Sequence, residues 1–171
     1  MKIATFPSLF PVLETERLLL RQPVGADEDL IFKLYHNPQI VRYIMEPIQT
    51  HAEAKAILRS YIEDFYSKER IFWTITNKNS LAPIGTCCYE WFHTPGLGEI
   101  GYDLLPDQQG QGYMSETLPA ILRFGFDVLH LEEIEAFITP QNLPSIHVLQ
   151  KLGFRICGEK DGDCRLSLRR C

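Results

Sequence analysis

The sequence predicts an α/β fold in which a mixed, mostly antiparallel sheet of about seven strands is flanked by about four helices. Three segments rich in β-branched and aromatic residues, 72–76, 84–92 and 99–105, are joined by short turns and predict an antiparallel meander. A periodic helix then separates the third segment from an alternating segment over residues 134–139, which predicts a parallel pair with a right-handed crossover. Together these observations argue against a doubly wound parallel sheet.

The first half of the chain is predicted to contribute one strand and two main helices. Residues 18–20, between two arginines, predict a strand, and a helix follows from about Asp27 to Asn37-Pro38. Thr50 and Glu53 form a capping box at the start of the second helix, whose apolar residues recur at helical spacing. A short helical turn between the two helices runs through Ile40, Val41 and Tyr43.

The second half is predicted to alternate helices and strands. Gly153 suits the end of a helix because glycine adopts a left-handed conformation at little cost. Asp161 and Gly162 are typical turn residues of a hairpin. The predicted elements are a helix from residue 113, a strand over residues 134–139, a helix over residues 143–152 and hairpin strands over residues 154–157 and 164–168.

Composition narrows the class of protein. The 171 residues carry a net charge of −5, which disfavours direct nucleic-acid binding or an anionic-membrane surface. No apolar run approaches a membrane span, and the N-terminus lacks the apolar segment of a signal peptide. Five cysteines without a CxxC pair favour reduced thiols in a cytoplasmic protein over disulfides or zinc. We expect a weakly ordered N-terminal arm over residues 1–12 and a single domain over residues 13–171.

Two glycines one residue apart, Gly110 and Gly112, lie where the last strand of the meander meets the following helix. Glycine adopts positive φ freely, so backbone N–H groups can turn inward beside the unpaired N–H groups of the first helical turn. Such a corner favours a phosphate or pyrophosphate. A dinucleotide fingerprint would need a third glycine at Ser115 and a P-loop would need a lysine, and both are missing. A plain strand–helix turn is the alternative.

Further sequence motifs lie before and after this glycine corner. Residues 98–102 (GEIGY) precede it, and residues 142–145 (NLPS) and 149–154 (LQKLGF) follow it. Together with residues 110–113 (GQGY) and Glu116, these motifs resemble the GNAT superfamily of acetyl-CoA-dependent N-acetyltransferases. The opening segment, LETERLLLR, is similar to the branch of ribosomal-protein N-terminal acetyltransferases (RimJ/RimL-like), and the resemblance covers nearly the whole chain.

The resemblance implies a GNAT (acyl-CoA N-acyltransferase) fold and transfer of an acetyl group from acetyl-CoA to a primary amine by direct attack in a ternary complex. The acceptor would be a protein N-terminus, including that of a ribosomal protein, or a small amine. No metal is implied, and a homodimer is common among relatives. In this family the strands on either side of the crossover splay apart and admit the pantetheine arm.

The resemblance assigns the CoA pyrophosphate to backbone N–H groups of the glycine corner. The main chain of Leu104 and Leu105 would pair with the pantetheine amides, and the Leu105 N–H is a candidate donor to the thioester oxygen. One departure is Asp107, which stands where many relatives have Gln or Arg. The predicted cofactor-binding residues of the corner are Gln109, Gly110, Gln111, Gly112, Tyr113, Met114 and Ser115.

Asn142 and Ser145 match the Asn-x-x-Ser pattern of the family. The resemblance implies that Asn142 bonds an amide of the cofactor arm and that the Ser145 hydroxyl, as a catalytic group, supports the departing thiolate. Many relatives carry a tyrosine where this chain has Leu149, which favours Ser145 in this role. The alternative is that Asn142 only caps the following helix.

The attacking amine must be neutral, and either water or one carboxylate could deprotonate it. Glu99, on the strand leading to the corner, is the first candidate, followed by Glu90 and His93; the alternative for each is a solvent-facing strand residue. Tyr102 is predicted to lie in the core or in a pocket wall. A chain without a usable base would be a non-catalytic acyl-CoA-binding sensor or structural module. A protein that binds ATP or NAD at the corner is a third alternative.

Overall fold

The computed structural model describes residues 6–42, 45–90 and 94–170. Three sequence predictions therefore lie at least partly outside the described residues: Tyr43 in the helical turn, the end of the strand over residues 84–92, and His93 as an alternative base. At those positions they stay predictions.

The described residues form one sheet of eight strands: β1 (Leu13–Glu14), β2 (Leu18–Arg21), β3 (Arg70–Asn77), β4 (Pro83–Glu90), β5 (Leu97–Leu104), β6 (Glu133–Ile138), β7 (Arg155–Lys160) and β8 (Asp163–Arg169). Their order across the sheet is β1-β2-β3-β4-β5-β6-β8-β7. Only β5 and β6 run parallel, which confirms the mixed, mostly antiparallel sheet and its crossover. The strand beyond the seven predicted is β1, whose two residues are too few to show a period.

Helices cover both faces of the sheet: α1 (Glu28–Tyr35), α2 (Pro38–Val41) and α3 (His51–Ser67) on one face, and α4 (Tyr113–Asp127) and α5 (Leu143–Lys151) on the other. Phe72 and Cys88 are buried with apolar residues of α1 to α3. Trp73 and Tyr89, their neighbours along the strands, are buried with residues of α4 and α5. Adjacent strand residues thus supply two separate cores, as the alternation of side chains requires.

Local signals set the starts of two helices. The Thr50 hydroxyl accepts the N–H of Glu53 (3.2 Å), and the Glu53 carboxylate accepts the N–H of Thr50 (2.8 Å), which confirms the capping box of α3. The Asn37 side chain accepts the N–H of Gln39 (2.9 Å). Asn37 therefore caps α2 in addition to following the end of α1.

Residues 6–12, the described part of the predicted N-terminal arm, make specific contacts with the domain. The rings of Phe6 and Phe10 pack on Phe65, with centroids 5.2 and 4.9 Å apart. The Trp73 indole donates a hydrogen bond to the Pro11 carbonyl (2.7 Å). Aromatic packing accounts for these contacts, which the local sequence does not predict because the partners of Phe6 and Phe10 lie on α3 and β3. The boundary between arm and domain stays a prediction.

The two parallel strands pair over a short distance and then separate. Backbone pairing joins residues 97–99 of β5 to residues 133–135 of β6, and β5 continues alone on this side to Leu104. On its other side β5 remains paired with β4 along its length from Glu99 to Leu104. The sheet therefore has a gap beside residues 100–104, as the family resemblance implied.

Candidate active site

The glycine corner has the backbone conformation that an anion cradle needs. Gly110 and Gly112 have φ of 72° and 78°, in the left-handed region where glycine is favoured. Gly112 is the N-cap of α4 and provides no side chain to cap it, so the N–H groups of the first turn stay available. The 15-residue helix also places its positive dipole end at this point. These features fit the pyrophosphate of CoA.

A cluster of side chains from the β1–β2 connection holds the corner in place. The Glu116 carboxylate accepts hydrogen bonds from the Thr15 hydroxyl, the Arg17 N–H (2.7 Å) and the Arg17 guanidinium (2.6 Å). The same guanidinium donates to the Gln111 carbonyl (3.1 Å) and lies 4.5 Å from the centroid of the Tyr113 ring. Burial opposes ionisation of Glu116, but these bonds hold its pKa below the usual range. Arg17 thus ties a distant segment to the predicted phosphate site.

A cavity of about 270 Å³ extends from the glycine corner to the gap between β5 and β6. It is lined by all the predicted cofactor-binding residues except Leu105 and Gln111. Gln111 acts instead within the loop, where its side-chain amide donates to the Asp107 carbonyl (2.8 Å). We call this space the cofactor cavity. Its lining residues are Tyr102, Asp103, Leu104, Gln109, Gly110, Gly112, Tyr113, Met114, Ser115, Asn142, Pro144, Ser145 and Val148.

A second cavity, of about 410 Å³, lies on the α1–α3 side of the sheet, and we call it the acceptor cavity. Its walls include Tyr35, Tyr61 and Phe72, and its lining also contains Glu90 and Glu99. Four residues line both cavities: Tyr102, Asp103, Asn142 and Ser145. These four shared residues mark the place where a group held in one cavity would meet a molecule held in the other.

The prediction that the Leu105 N–H is free for the thioester oxygen is wrong. This N–H donates to the Ile84 carbonyl (3.0 Å), so it belongs to the ladder between β4 and β5. Because successive N–H groups of a strand point to opposite sides, the N–H of Leu104 points toward the gap. The Leu104 carbonyl accepts the side-chain amide of Gln109 (3.1 Å). Leu104 therefore takes the position expected of Leu105.

Asn142 caps α5, and it also lines both cavities together with Ser145. The Asn142 side-chain oxygen accepts the Ser145 N–H (3.3 Å), so Asn142 is the N-cap of α5. In both cavities, the side-chain amide nitrogen of Asn142 can donate hydrogen bonds, and the hydroxyl group of Ser145 can donate or accept them. Capping fixes the first turn of α5 and with it the position of Ser145.

The sequence prediction missed Asp103. This residue lies on β5 two positions after Gly101, is half-buried, and lines both cavities. Its carboxyl group has no hydrogen-bond or ion-pair partner among the described residues, and burial raises its pKa from 3.8 to about 6. The sequence contained a signal for this residue. Glu99, Gly101 and Asp103 are two positions apart and therefore lie on the same face of the strand, which places a second carboxyl group on the face that carries the predicted base.

Glu99 and Glu90 lie in the acceptor cavity and not in the cofactor cavity. They are opposite each other on paired strands, and Glu99 is also opposite Glu135. Burial and these two neighbouring carboxylates raise the pKa of Glu99. Glu90 is bound to Arg70 (3.1 Å). Since Glu99 and Asp103 are four residues apart on one strand, their Cα atoms are separated by about 13 Å.

Tyr102 is a pocket-wall residue, as predicted, and its hydroxyl group is buried. This hydroxyl makes no hydrogen bond of acceptable geometry among the described residues. Burial raises the pKa of Tyr102 to about 12, against a smaller lowering by the neighbouring Ser145 hydroxyl. Tyr102 thus stays protonated beside Ser145 at neutral pH.

Other classes of site find little support in the described residues. No group of three or more His, Cys, Asp or Glu side chains there is arranged to hold a metal ion. Nor does any helix in that part of the chain have the length and apolarity needed to cross a membrane.

The fold, the glycine corner and two cavities that share four lining residues are the features expected of an acyl-CoA-dependent transferase, and comparison with known proteins identifies the family. The family described as "Acetyltransferase (GNAT) domain" matches residues 17–155. The chain belongs to this family and is an acetyl-CoA-dependent N-acetyltransferase.

Relatives agree with this placement. The uncharacterized N-acetyltransferase YoaA of Bacillus subtilis is 31% identical over 152 residues, covering 86% of this chain and 84% of YoaA. Spermidine N(1)-acetyltransferase of Escherichia coli is 26% identical over 153 residues, covering 84% and 80%. Among solved structures, Mycobacterium smegmatis RimJ in complex with CoA-disulfide has a TM-score of 0.80 at 18% identity, covering 96% and 90%. The similarity to RimJ agrees with the RimJ/RimL-like resemblance at the level of the fold.

Proposed function

We propose that the protein transfers the acetyl group of acetyl-CoA to a primary amine by direct attack in a ternary complex, at the four residues shared by the two cavities. The observation that carries this proposal is the position of Tyr102, Asp103, Asn142 and Ser145 on both cavities. When bound, acetyl-CoA supplies a reactive acetyl thioester. Its pyrophosphate would be held by the N–H groups of residues 110–115 and its arm by Leu104 and Asn142. The Gln109 N–H, which the sequence also assigned to the pyrophosphate, donates instead to the Pro106 carbonyl (3.3 Å).

Asp103 is proposed as the general base. It accepts the proton of the attacking amine, either directly or through a water molecule. A carboxyl group with a pKa of about 6 is ionised at neutral pH and is still a better proton acceptor than an ordinary aspartate. Glu99 was the first candidate from the sequence, but it lines only the acceptor cavity, about 13 Å along the strand.

Two further groups complete the proposed chemistry. The N–H of Leu104 points into the gap between β5 and β6 and would donate a hydrogen bond to the thioester oxygen as negative charge develops there. The Ser145 hydroxyl would donate to the departing sulfur. Tyr102, kept protonated by burial, would donate a hydrogen bond to the Ser145 oxygen. The departing thiolate takes its proton from solvent, and Asp103 releases to solvent the proton that it accepts from the amine.

The cysteines of the acceptor cavity support direct attack over an acetyl-cysteine route. Cys87 and Cys88 line this cavity. Burial raises the pKa of both thiols well above the usual range, so the thiolate that would have to attack the thioester is scarcely populated at neutral pH.

Relatives suggest two classes of acceptor. The E. coli relative is named for spermidine, a small amine, and the M. smegmatis structural neighbour is RimJ, from the ribosomal-protein branch of the family resemblance. A protein N-terminus, including that of a ribosomal protein, and a small amine therefore both remain in the proposal. A cytoplasmic location and a homodimer also stay predictions.

The test is an initial-velocity study of CoA release with acetyl-CoA and a panel of small amines and peptides. Direct attack predicts intersecting double-reciprocal lines and no acetylated enzyme in the mass spectrum without acceptor. Asp103→Asn should lower kcat by roughly 10²- to 10⁴-fold, whereas Asp107→Asn, which removes an exposed carboxylate outside both cavities, should not. Parallel lines with an acetyl-enzyme would contradict direct attack. Acetyl-CoA binding without turnover of any amine would instead support the non-catalytic sensor.

A further inference from the structure

The acceptor cavity carries more negative than positive charge. Its lining contains four carboxylates, on Glu90, Glu99, Asp103 and Asp163, and among the described residues only one cation, Arg70. Arg70 is already engaged, because its guanidinium lies 3.1 Å from Glu90 and 3.6 Å from Asp64. The remaining carboxylates of the cavity therefore lack a compensating charge in its wall.

Two of these carboxylates, Asp103 and Glu99, make no ion pair among the described residues. They lie in different parts of the cavity. Asp103 lies at its junction with the cofactor cavity and has no hydrogen bond or ion pair among the described residues. Glu99 likewise makes no ion pair there, and its cross-strand neighbours Glu90 and Glu135 are both acidic. Burial, Glu90 and Glu135 raise the pKa of Glu99 and outweigh two cations that act to lower it: Lys160, which lies over the Phe137 ring at 5.0 Å, and Arg70. Half-buried charges without partners are unfavourable, and a cationic ligand would compensate them.

The strand geometry sets the distance between the two carboxylates. Glu99 and Asp103 point to the same face of β5 because they are four residues apart, and their Cα atoms are separated by about 13 Å. Gly101 stands between them and leaves the cavity floor without a side chain. Tyr35 and Tyr61 form an aromatic wall over this face, with their hydroxyl groups 2.9 Å apart. An extended apolar chain fits along such a floor.

We propose that the acceptor is an extended amine with at least two positive charges, whose reactive amine lies at Asp103 while a second ammonium group lies at Glu99. This inference rests on the proposed function, since it names the substrate class of the same site. An extended chain advances about 1.2 Å per bond, so an α,ω-diamine with eight carbons has its nitrogen atoms roughly 11 Å apart. That length matches the spacing of the two carboxylates.

A small molecule fits the described cavity better than a peptide does. A volume of about 410 Å³ lies within the range typical of small-molecule sites. A bound peptide would also need partners for its backbone N–H and C=O groups, whereas the central floor is Gly101 and its aromatic cover is Tyr35, Tyr61 and Phe72. Aromatic faces suit alkyl chains and ammonium groups.

The experiment compares α,ω-diamines of four to ten carbons with monoamines of the same length, using kcat/KM for CoA release by the wild-type protein. Diaminooctane should exceed both octylamine and diaminobutane by roughly tenfold to a hundredfold, as expected for one additional charge-assisted contact. In Glu99→Gln, the ratio of diaminooctane to octylamine should fall by about tenfold, mainly through KM. Glu69→Gln, an exposed carboxylate outside the cavity, is the matched control and should keep the wild-type ratio.

The outcomes separate this inference from the proposed function. Equal use of diamines and monoamines, or no dependence on chain length, would overturn the inference and leave amine acetylation in place. The same holds if a peptide N-terminus is used better than every diamine. Failure to acetylate any amine, by a folded protein, would overturn the proposed function as well. The wild-type comparison stands alone even if Glu99→Gln does not fold.

Discussion

Replacing Asp103 by asparagine should make the protein more stable while it removes activity. The carboxyl group is half-buried and has no hydrogen-bond or ion-pair partner among the described residues, and its pKa is raised from 3.8 to about 6. A carboxyl group whose pKa is raised on folding contributes stability below the unfolded pKa, and this contribution is lost as pH rises through the folded pKa. Asparagine has nearly the same shape and carries no charge at any pH, so it avoids this loss.

The magnitude follows from the size of the shift. A rise of about two pKa units corresponds to about 3 kcal/mol of destabilisation above pH 6, at 1.36 kcal/mol per unit. Asp103→Asn should therefore increase the free energy of unfolding by about 3 kcal/mol at pH 7.5 and by about half as much at pH 5. In a chain of this size the melting temperature should rise by roughly 6 to 12 °C at neutral pH.

The assay is urea unfolding at several pH values between 4 and 8, with wild type, Asp103→Asn and Asp107→Asn side by side. Asp107 is exposed, so its replacement should leave the free energy of unfolding unchanged. A gain for Asp103→Asn that grows with pH, together with loss of turnover, identifies a residue retained for function at the expense of stability. A variant that is less stable than wild type at every pH would refute the reasoning.

Three further predictions concern the proposed residues. The kcat/KM of wild type should fall as pH drops through about 6, because Asp103 becomes protonated. The kcat/KM of Asp103→Glu should also fall at low pH. A kcat/KM of wild type that stays constant down to pH 5 would contradict this prediction. Arg17→Ala should raise KM for acetyl-CoA about fivefold with little change in kcat, since it loosens the glycine corner, whereas exposed Arg123→Ala should not. Tyr102→Phe should lower kcat several-fold yet not reduce stability, because the lost hydroxyl is buried without a hydrogen bond; unfolding by urea and steady-state rates test both parts.

Local chemistry made much of the fold predictable. The positive φ values predicted for glycine at Gly110, Gly112 and Gly153 are confirmed, as is the hairpin turn at Asp161 and Gly162. Each of these features depends on a few adjacent residues. The packing of Phe6 and Phe10 depends on distant partners on α3 and β3, which no local window contains.

The candidate site was predictable where backbone conformation defines it and less so where burial does. The glycine corner is a local feature, and it holds most of the predicted cofactor residues. The alternation of Glu99, Gly101 and Asp103 places them on one strand face, but it does not show that this face lines a cavity, because the cavity wall includes Tyr35 of α1 and Tyr61 of α3, which are distant in sequence. The Leu105 N–H was assigned wrongly since its use depends on the register of β5 against β4, which places it opposite Ile84.

The most direct test of the central claim is calorimetric titration of acetyl-CoA, with ATP and NAD as comparison ligands, into wild type, Gly110→Val and Gly158→Val. Gly110 has φ of 72°, which valine tolerates poorly, whereas Gly158 lies on exposed β7 with open space around it. The claim predicts micromolar binding of acetyl-CoA alone, strongly weakened in Gly110→Val and unchanged in Gly158→Val. Absence of acetyl-CoA binding by the folded wild type, or equal binding by Gly110→Val, would contradict it.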